Sequence, residues 1–317
     1  MLTLSDYSAL LEKEYLAAFV PAGGAAVKIA LVPSERAAQV MGALENAAAR
    51  QNLAFVRVAA AQTRVQFIEQ IFFAVAAQTD WESLCASWLR ARFAENGYDV
   101  APDQPLSDLE AIGAARDLAA RDVIAEVRRW IVNGLLKNHR LDKDFRTALA
   151  MLTQAAVNPG NVSPSDAEVL IHWLRGEKTS LSALKKLQIF SKIGRHNARA
   201  MLASLALWQR ENGRGGLFLG LNASQIWNGA PPDAAQPMPR YTRNAALDFY
   251  EILRQFIDET DEMSHFFLLV CAPPEGWNDP KKGVDQYTAL KMRVADEVRD
   301  RDRANPLGAA VKIEVFA

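Results

Sequence analysis

The sequence predicts an α/β fold, a three-layer parallel sheet with a large helical insertion. Near-continuous apolar runs separated by helical patterns are typical of a sheet that is covered on both faces. The stretch 80–210 has helical patterns and no convincing strand. Half of the 317 residues are hydrophobic and 23% are charged, so the chain can bury a core, and its length fits one large domain or two moderate ones.

The N-terminal elements alternate between helix and strand, which is how a parallel sheet begins. They are predicted in the order helix 6–19, strand 25–32, helix 34–50, strand 53–60 and helix 65–77. Ser5 is the expected N-cap of the first helix, because a serine hydroxyl can accept from backbone N–H groups of the first turn.

The insertion is predicted to consist of helices, and strands return after it. The helices are expected at 80–96, 106–138, 142–157, 164–175 and 195–210. Apolar residues recur there every three or four positions, as in Val123, Val127 and Trp130, and they are expected to form a helix-bundle core. The C-terminal elements are predicted as strand 216–221, helix 241–260, strand 266–271, helix 285–301 and strand 310–316.

These patterns divide the chain into three parts. Residues 53–79 and 211–317 are predicted to form the α/β core, and residues 80–210 the helical insertion. Residues 1–52 are expected to join the core with a helix, a strand and a further helix.

Charge and cysteine content exclude several classes of protein. Lys and Arg total 36 against 37 Asp and Glu, so a uniformly basic nucleic-acid binder is excluded but a local basic face is not. Cys85 and Cys271 are too few for a disulfide framework, and neither the cysteines nor the histidines have metal-ligand spacing, so no metal site is expected. The N-terminus lacks the positive charge of a signal peptide, and no apolar run reaches about 18 residues. A soluble, cytoplasmic protein without a membrane span is expected.

The charges are distributed unevenly along the chain. The segment 178–210 contains no Asp or Glu and carries seven cations, Lys178, Lys185, Lys186, Lys192, Arg195, Arg199 and Arg210. Two interpretations account for these cations. They lie on helix faces that are simply solvated, or they form a surface that binds phosphates or an acidic partner. The segment 248–262 is acidic, with Asp248, Glu251, Asp258, Glu259, Asp261 and Glu262 against Arg254. Opposite fields of this kind favour oriented assembly with partners or with copies of the chain.

The turn after the second strand is where a phosphate-binding loop would be sought. Such a loop needs glycines that let the backbone wrap the phosphates, followed by Lys and Ser/Thr. The turn 58–66 (VAAAQTRVQ) has neither glycine nor a Lys-Ser/Thr pair. By spacing alone it is a strand–helix turn, and Asn222-Ala223 after the third strand supplies no carboxylate for Mg²⁺ or for activating water.

Several segments together carry a resemblance to a known family. They are 172–177 (HWLRGE), 187–193 (LQIFSKI), 198–207, 213–222, 250–258 (YEILRQFID), 272–275 (APPE), 285–290 (DQYTAL) and 303–306 (RANP). The chain resembles the P-loop, AAA+-like ATP-binding proteins of BREX-type bacteriophage-defence systems over roughly 53–80 and 165–313. The resemblance implies a P-loop NTPase-like, AAA+-like sheet. It also implies that any lid domain following the last strand, as in the family, is missing or truncated here.

The resemblance also implies where a nucleotide site would lie. In the family a strand that begins Phe-Val-Arg, matched by Phe55-Val-Arg57, runs into a glycine-rich loop. The glycine places of that loop are held here by Val58, Ala61 and Thr63. Side chains at these places would crowd the phosphates.

This chain also departs from the family at the positions that bind the phosphate charge and the metal ion, and these departures too weaken a nucleotide site. Arg64 stands for the loop lysine and Val65 for the Ser/Thr, with Gln66 in the place of a histidine. The Asp-Glu pair after the later strand falls on Asn222-Ala223, so both metal ligands and the base are lost. The resemblance therefore predicts a degenerate nucleotide site, with ATP and Mg²⁺ not expected as cofactors.

The first expected function is a pseudo-ATPase, a non-hydrolysing structural or regulatory subunit of a multi-gene antiviral defence system. Its expected partners are a helicase, an active ATPase, a methyltransferase, a nuclease or its own copies. A DNA-binding module of the same system is the second expectation, and a nucleotide-binding switch or weak NTPase that uses Arg64 is the third. The expected nucleic-acid or partner contacts are Lys185, Lys186, Lys192, Arg195, Arg199, Arg299, Arg301 and Arg303.

Overall fold

The chain folds as two units, and the computed structural model describes residues 2–158, 160–228, 238–295 and 305–315. Residues 1–75 and 205–317 make up the first, the α/β unit, and residues 76–204 make up the second, the helical unit. Within the described residues, no helix is both long and apolar enough to cross a membrane.

A parallel sheet forms the centre of the α/β unit. Its strands are β1 (Ala25–Leu31), β2 (Ala54–Ala59), β3 (Leu217–Asn222), β4 (Phe266–Ala272) and β5 (Ala310–Lys312). They lie in the order β2-β3-β4-β1-β5, and every pair is parallel. All seven residues of β4 are buried, as expected for a strand covered on both faces. The predicted α/β class is confirmed.

The helices follow the strands in the predicted alternation. They are α1 (Leu4–Leu11), α2 (Ala37–Arg50), α3 (Ile68–Ala77), α4 (Trp81–Glu95), α5 (Leu109–Ala114), α6 (Ala120–Trp130), α7 (Lys143–Val157), α8 (Pro164–Leu174), α9 (Leu181–Lys186), α10 (Ala198–Glu211), α11 (Arg243–Asp258), α12 (Pro274–Trp277) and α13 (Thr288–Val294). Glu12–Leu16 and Ile131–Leu136 are π-helical, and Ser34–Arg36, Ser224–Ile226 and Val284–Gln286 are 3₁₀ turns.

The N-terminal helix begins earlier than expected, and its predicted cap was wrong. Thr3 is the N-cap, because its hydroxyl accepts from the Asp6 N–H at 3.1 Å. Ser5 lies inside the first turn, and the α-helix changes to a π-helix at Glu12.

The predicted helix 106–138 is also wrong, since it is divided into α5, α6 and a π-helical turn. The division follows from a tight turn after α5, where Asp117 has a φ of 51° and the Leu118 N–H donates to the Gly113 carbonyl. Strand β5 ends at Lys312, short of the expected 316, and Glu314 then forms a parallel bridge with Thr3. The last part of the helix expected over 285–301 lies outside the described residues.

Two helical layers enclose the sheet. On one face an aromatic row crosses three neighbouring strands, with Phe55, Phe218 and Phe267 in register and ring centroids 4.8 Å apart in each pair. Helices α1 and α2 pack on this face. On the other face Phe256 of α11 stacks on Phe266 at 5.8 Å. Successive β4 residues thus face opposite layers, which gives the three-layer architecture.

The helical unit has an aromatic core of its own. Trp81 and Phe145, both buried, bring α4 and α7 together with ring centroids 5.8 Å apart. Trp88 packs so closely on Gly134 that a Cβ there would lie 2.7 Å from the indole. Polar caps begin the helices, including a capping box at Ser163 with Asp166.

Candidate nucleotide site

The strand order defines one crevice at the carboxyl ends of the strands. After β1 the chain crosses to β2 at the far edge, whereas after β4 it crosses β1 in the other direction to reach β5. Neighbouring strands whose connections leave in opposite directions form a topological switch point, which is where open α/β sheets bind ligands. In this sheet the switch point lies between the turn after β1 and the turn after β4.

The turn after β1 is poorly suited to phosphate. It consists of Val32, Pro33 and the 3₁₀ turn that leads into α2, and it contains neither glycine nor lysine. Pro33 has no N–H to offer an anion. The Ser34 hydroxyl accepts from the Asn228 side chain at 3.1 Å, and the exposed carboxylate of Glu35 lies in the first turn, where it would repel a phosphate.

The turn after β2, where the sequence placed the degenerate loop, is fastened by a distant tyrosine. The Val65 N–H donates to the Tyr241 hydroxyl at 3.3 Å, and this hydroxyl shares its single proton between the carbonyl oxygens of Ala60 and Thr63, which lie at 2.9 and 2.7 Å. Burial raises the pKa of Tyr241 to about 12, so the hydroxyl stays protonated. Ala61 is half-buried, Arg64 is exposed, and α3 begins only at Ile68.

The structure brings the two predicted parts of the degenerate site to neighbouring strand ends. Ala59 and Asn222 are in register, so the turn 61–65 and Asn222-Ala223 leave the same edge of the sheet. The Asn222 side-chain oxygen accepts from the Ser224 N–H at 3.1 Å, and Ala223 is fully buried. Among the described residues no group of three or more His, Cys, Asp or Glu side chains could hold a metal ion. The assignment of Ala61, Thr63, Arg64 and Val65 to a nucleotide site stays a prediction.

Lys282, which sequence reasoning missed, ties the segment after β4 to this edge. Its carbonyl accepts from the Tyr250 hydroxyl at 2.7 Å and from the Trp227 indole N–H at 3.4 Å. Its ammonium donates to the Tyr241 carbonyl at 2.8 Å. The rings of Trp227, Tyr250 and Trp277 pack against one another, with centroids 5.8 to 6.4 Å apart. Each contact joins residues far apart in sequence, so no local pattern could have found them.

We expect Tyr241→Phe to lower the free energy of unfolding by about 1–3 kcal/mol, because it leaves buried backbone groups of the post-β2 turn without their partner. Urea or thermal unfolding of the full chain measures the loss. Tyr7→Phe is the matched control, since the buried Tyr7 hydroxyl has no hydrogen-bond partner among the described residues. Its removal should leave stability unchanged or raise it. Equal destabilisation by both variants would contradict the role given to Tyr241.

The acidic segment on α11 is less negative at its surface than its composition indicates. Arg254 contacts Glu251 at 2.6 Å and Asp258 at 2.5 Å, and Arg293 of α13 also pairs with Asp258. The hydrogen bond from Arg254 lowers the pKa of Glu251 to about 2, with the Tyr287 hydroxyl contributing in the same direction. Arg293 likewise lowers the pKa of Asp258. The Arg293–Asp258 pair fastens α13 to α11, whereas the Arg254 pairs lie within α11.

The Glu251 pKa predicts a pH dependence of stability. Because the folded-state pKa is lowered from 4.5 to about 2, ionised Glu251 stabilises the fold above pH 4.5, and this contribution is lost as the pH falls from 4.5 towards 2. Thermal midpoints between pH 3 and 7 should therefore show a difference between wild type and Glu251→Gln that shrinks on acidification. A difference that is constant with pH would contradict the assignment.

The cations of the basic segment are mostly solvent-facing. Lys178, Lys185, Lys186, Lys192 and Arg195 are exposed, Arg199 is half-buried, and Arg210 is exposed in the α/β unit. Arg299, Arg301 and Arg303 lie outside the described residues. The expected contact residues 185–199 thus belong to the helical unit.

The all-parallel sheet, with its central switch point and helices on both faces, is that of a P-loop NTPase-like α/β protein. The sequence model of the family described as BREX system ATP-binding protein BrxC/D matches residues 108–317, well over half of the chain. The chain therefore belongs to this family, and the resemblance is confirmed. It is a component of a BREX defence system, which implies other subunits of that system as partners.

The matched range includes Asn222 and Ala223 but begins after both β1 and β2, so it does not cover either candidate phosphate turn. No match was found among curated proteins or among solved structures.

Proposed function

We propose that this chain is a pseudo-ATPase, a catalytically inactive ATPase-like subunit with a structural or regulatory role in its BREX system. It acts through protein partners, for which the system's helicase, active ATPase, methyltransferase or nuclease are the candidates. A second copy of the chain is a further candidate.

One observation carries this proposal: neither turn that could receive a phosphate has the groups that phosphate and Mg²⁺ require. The turn after β1 offers Pro33, Glu35 and Arg36, whose guanidinium donates to the Gln39 side chain. The turn after β2 is fastened by Tyr241. The end of β3 offers Asn222, whose side-chain oxygen is engaged by the backbone. Hydrolysis needs a phosphate cradle, a metal ligand and a means to activate water, and these positions supply none of them.

The purified full chain should therefore hydrolyse no ATP above the blank rate with Mg²⁺ present. Hydrolysis that disappears in Arg64→Ala would contradict the proposal and favour the weak NTPase or switch. A second test restores a deleted copy of the gene in a host that carries its defence system. Arg64→Ala should protect against phage as well as wild type, and a destabilised variant such as Gly216→Ala should not.

A second candidate function, a DNA-binding module of the same system, is favoured by the exposure of Lys185, Lys186 and Arg195. Charge reversal at these residues should weaken DNA binding and flatten its salt dependence, because fewer counterions are released. Absence of any DNA complex at low salt would remove this candidate.

A further inference from the structure

Phe190 is an exposed aromatic side chain within the basic segment of the helical unit. It is 56% exposed, whereas Ile189 before it and Ile193 after it are buried. Lys185 and Lys186 lie in the last turn of α9 just before it, and Lys192 follows it. Leu181 at the start of α9 is 44% exposed. Exposed apolar and basic residues thus precede and follow Phe190 in a segment without Asp or Glu, and the nearest acid in the described contacts is Asp144 of α7, which is engaged by the Ser191 hydroxyl.

The backbone that carries Phe190 is held in place on both sides. Helix α9 ends in a reversal at Gln188, whose φ is 59°, and the Ile189 N–H donates to the Leu184 carbonyl at 3.0 Å. On the other side the Trp173 indole donates to the Ser191 carbonyl at 3.1 Å, and the Ser191 hydroxyl donates to Asp144. Phe190 is thus presented by a braced turn, so little conformational entropy is lost when it binds a partner.

We propose that this surface, which we call the Phe190 platform (Leu181, Lys185, Lys186, Phe190 and Lys192), binds unpaired nucleic-acid strands. Lysines attract the phosphate backbone, and an aromatic ring stacks on a base that has been left without its neighbour. A base inside a duplex has both faces covered by its neighbours. A duplex would therefore contact the lysines through its phosphates, and Phe190 would stack on no base. An aromatic platform beside lysines therefore favours a single strand over a duplex.

The proposal goes beyond the pseudo-ATPase function, which concerns the strand ends of the α/β unit. It rests on the second candidate function, DNA binding through Lys185 and Lys186, and deepens it by naming an unpaired strand as the ligand. It also names a ligand that a basic charge pattern alone does not specify. Its failure would leave the pseudo-ATPase proposal intact, and ATP hydrolysis by the chain would leave the platform intact.

The test measures binding of the full chain to a fluorescent oligothymidine and to a duplex of the same length, by fluorescence anisotropy across a salt series. Phe190→Ala should weaken oligothymidine binding by about tenfold, since stacking on one base contributes about 1–3 kcal/mol. Its salt slope should stay unchanged, because phenylalanine neutralises no phosphate. Lys185→Glu with Lys186→Glu should weaken binding to both ligands and reduce the salt slope.

Two control variants from the same unit match these changes. Leu136→Ala removes an apolar side chain that is 38% exposed, and Arg121→Glu reverses an exposed charge on α6. Both should bind oligothymidine like wild type. The proposal is overturned if no complex forms at low salt, if Phe190→Ala and Leu136→Ala behave alike, or if the duplex binds as tightly with the same dependence on Phe190. Tighter binding of an acidic peptide such as polyglutamate through Phe190 would also overturn it and assign the platform to a protein.

Discussion

Gly216→Ala is expected to destabilise the α/β unit by about 3 kcal/mol or more. Gly216 immediately precedes β3 and has a φ of 138°, a conformation that residues with a side chain rarely adopt. An added Cβ would lie 2.2 Å from the His265 carbonyl oxygen. That carbonyl accepts from the Leu217 N–H, and the Gly216 carbonyl accepts from the Ala54 N–H, so the backbone cannot move away without breaking sheet hydrogen bonds.

The thermal midpoint of the full chain measures this effect. Helical circular dichroism that is retained above the first transition would indicate that the helical unit is still folded when the α/β unit has unfolded. Gly42→Ala is the matched control, because Gly42 lies inside α2 and an added Cβ would meet nothing within 4 Å. Alanine is the better helix former by about 1 kcal/mol, so this variant should be as stable as wild type or more so. A Gly216→Ala protein with an unchanged midpoint would contradict the described start of β3.

Phe267→Ala is expected to lower the free energy of unfolding by about 3–5 kcal/mol. Phe267 is fully buried on β4 and contacts Phe218 at 4.8 Å and Tyr15 at 5.6 Å. Truncation removes the β4 end of the aromatic row and leaves a cavity between the sheet and the N-terminal helices, which packed neighbours fill only in part.

Urea unfolding followed by intrinsic fluorescence measures the loss, and Phe190→Ala provides the comparison. Phe190 is largely exposed, so its truncation should change stability by less than about 0.5 kcal/mol. The same variant that tests nucleic-acid binding is therefore expected to be fully folded. Similar losses in both variants would contradict the burial of the aromatic row.

The elements of the fold could be predicted where local pattern determines them. Strands β1 to β4 coincide with apolar runs such as 266–271, because a strand buried on both faces needs no polar alternation. Helix starts were less secure, since both Thr3 and Ser5 can cap and only the tertiary structure selects Thr3. The break in the predicted helix 106–138 depends on Asp117 adopting a positive φ, for which the sequence has no strong signal.

The sequence could predict which residue types the candidate site contains, but not how they are arranged in space. The residue types at Arg64 and Asn222 indicate lost phosphate and metal contacts from the resemblance alone. Strand order is a long-range property, however, and it places the switch point beside the turn after β1, which the sequence reasoning did not consider. The contacts of Tyr241 and Lys282 likewise join turns that are distant in sequence.

Isothermal titration calorimetry of the full chain with ATP and Mg²⁺ tests the pseudo-ATPase account most directly. The account predicts no saturable heat and no binding tighter than about 1 mM, because both candidate turns lack a phosphate cradle. Arg64→Ala should give the same flat titration as wild type. Micromolar binding that requires Mg²⁺ and is lost in Arg64→Ala would contradict the account and identify the chain as a working nucleotide-binding subunit.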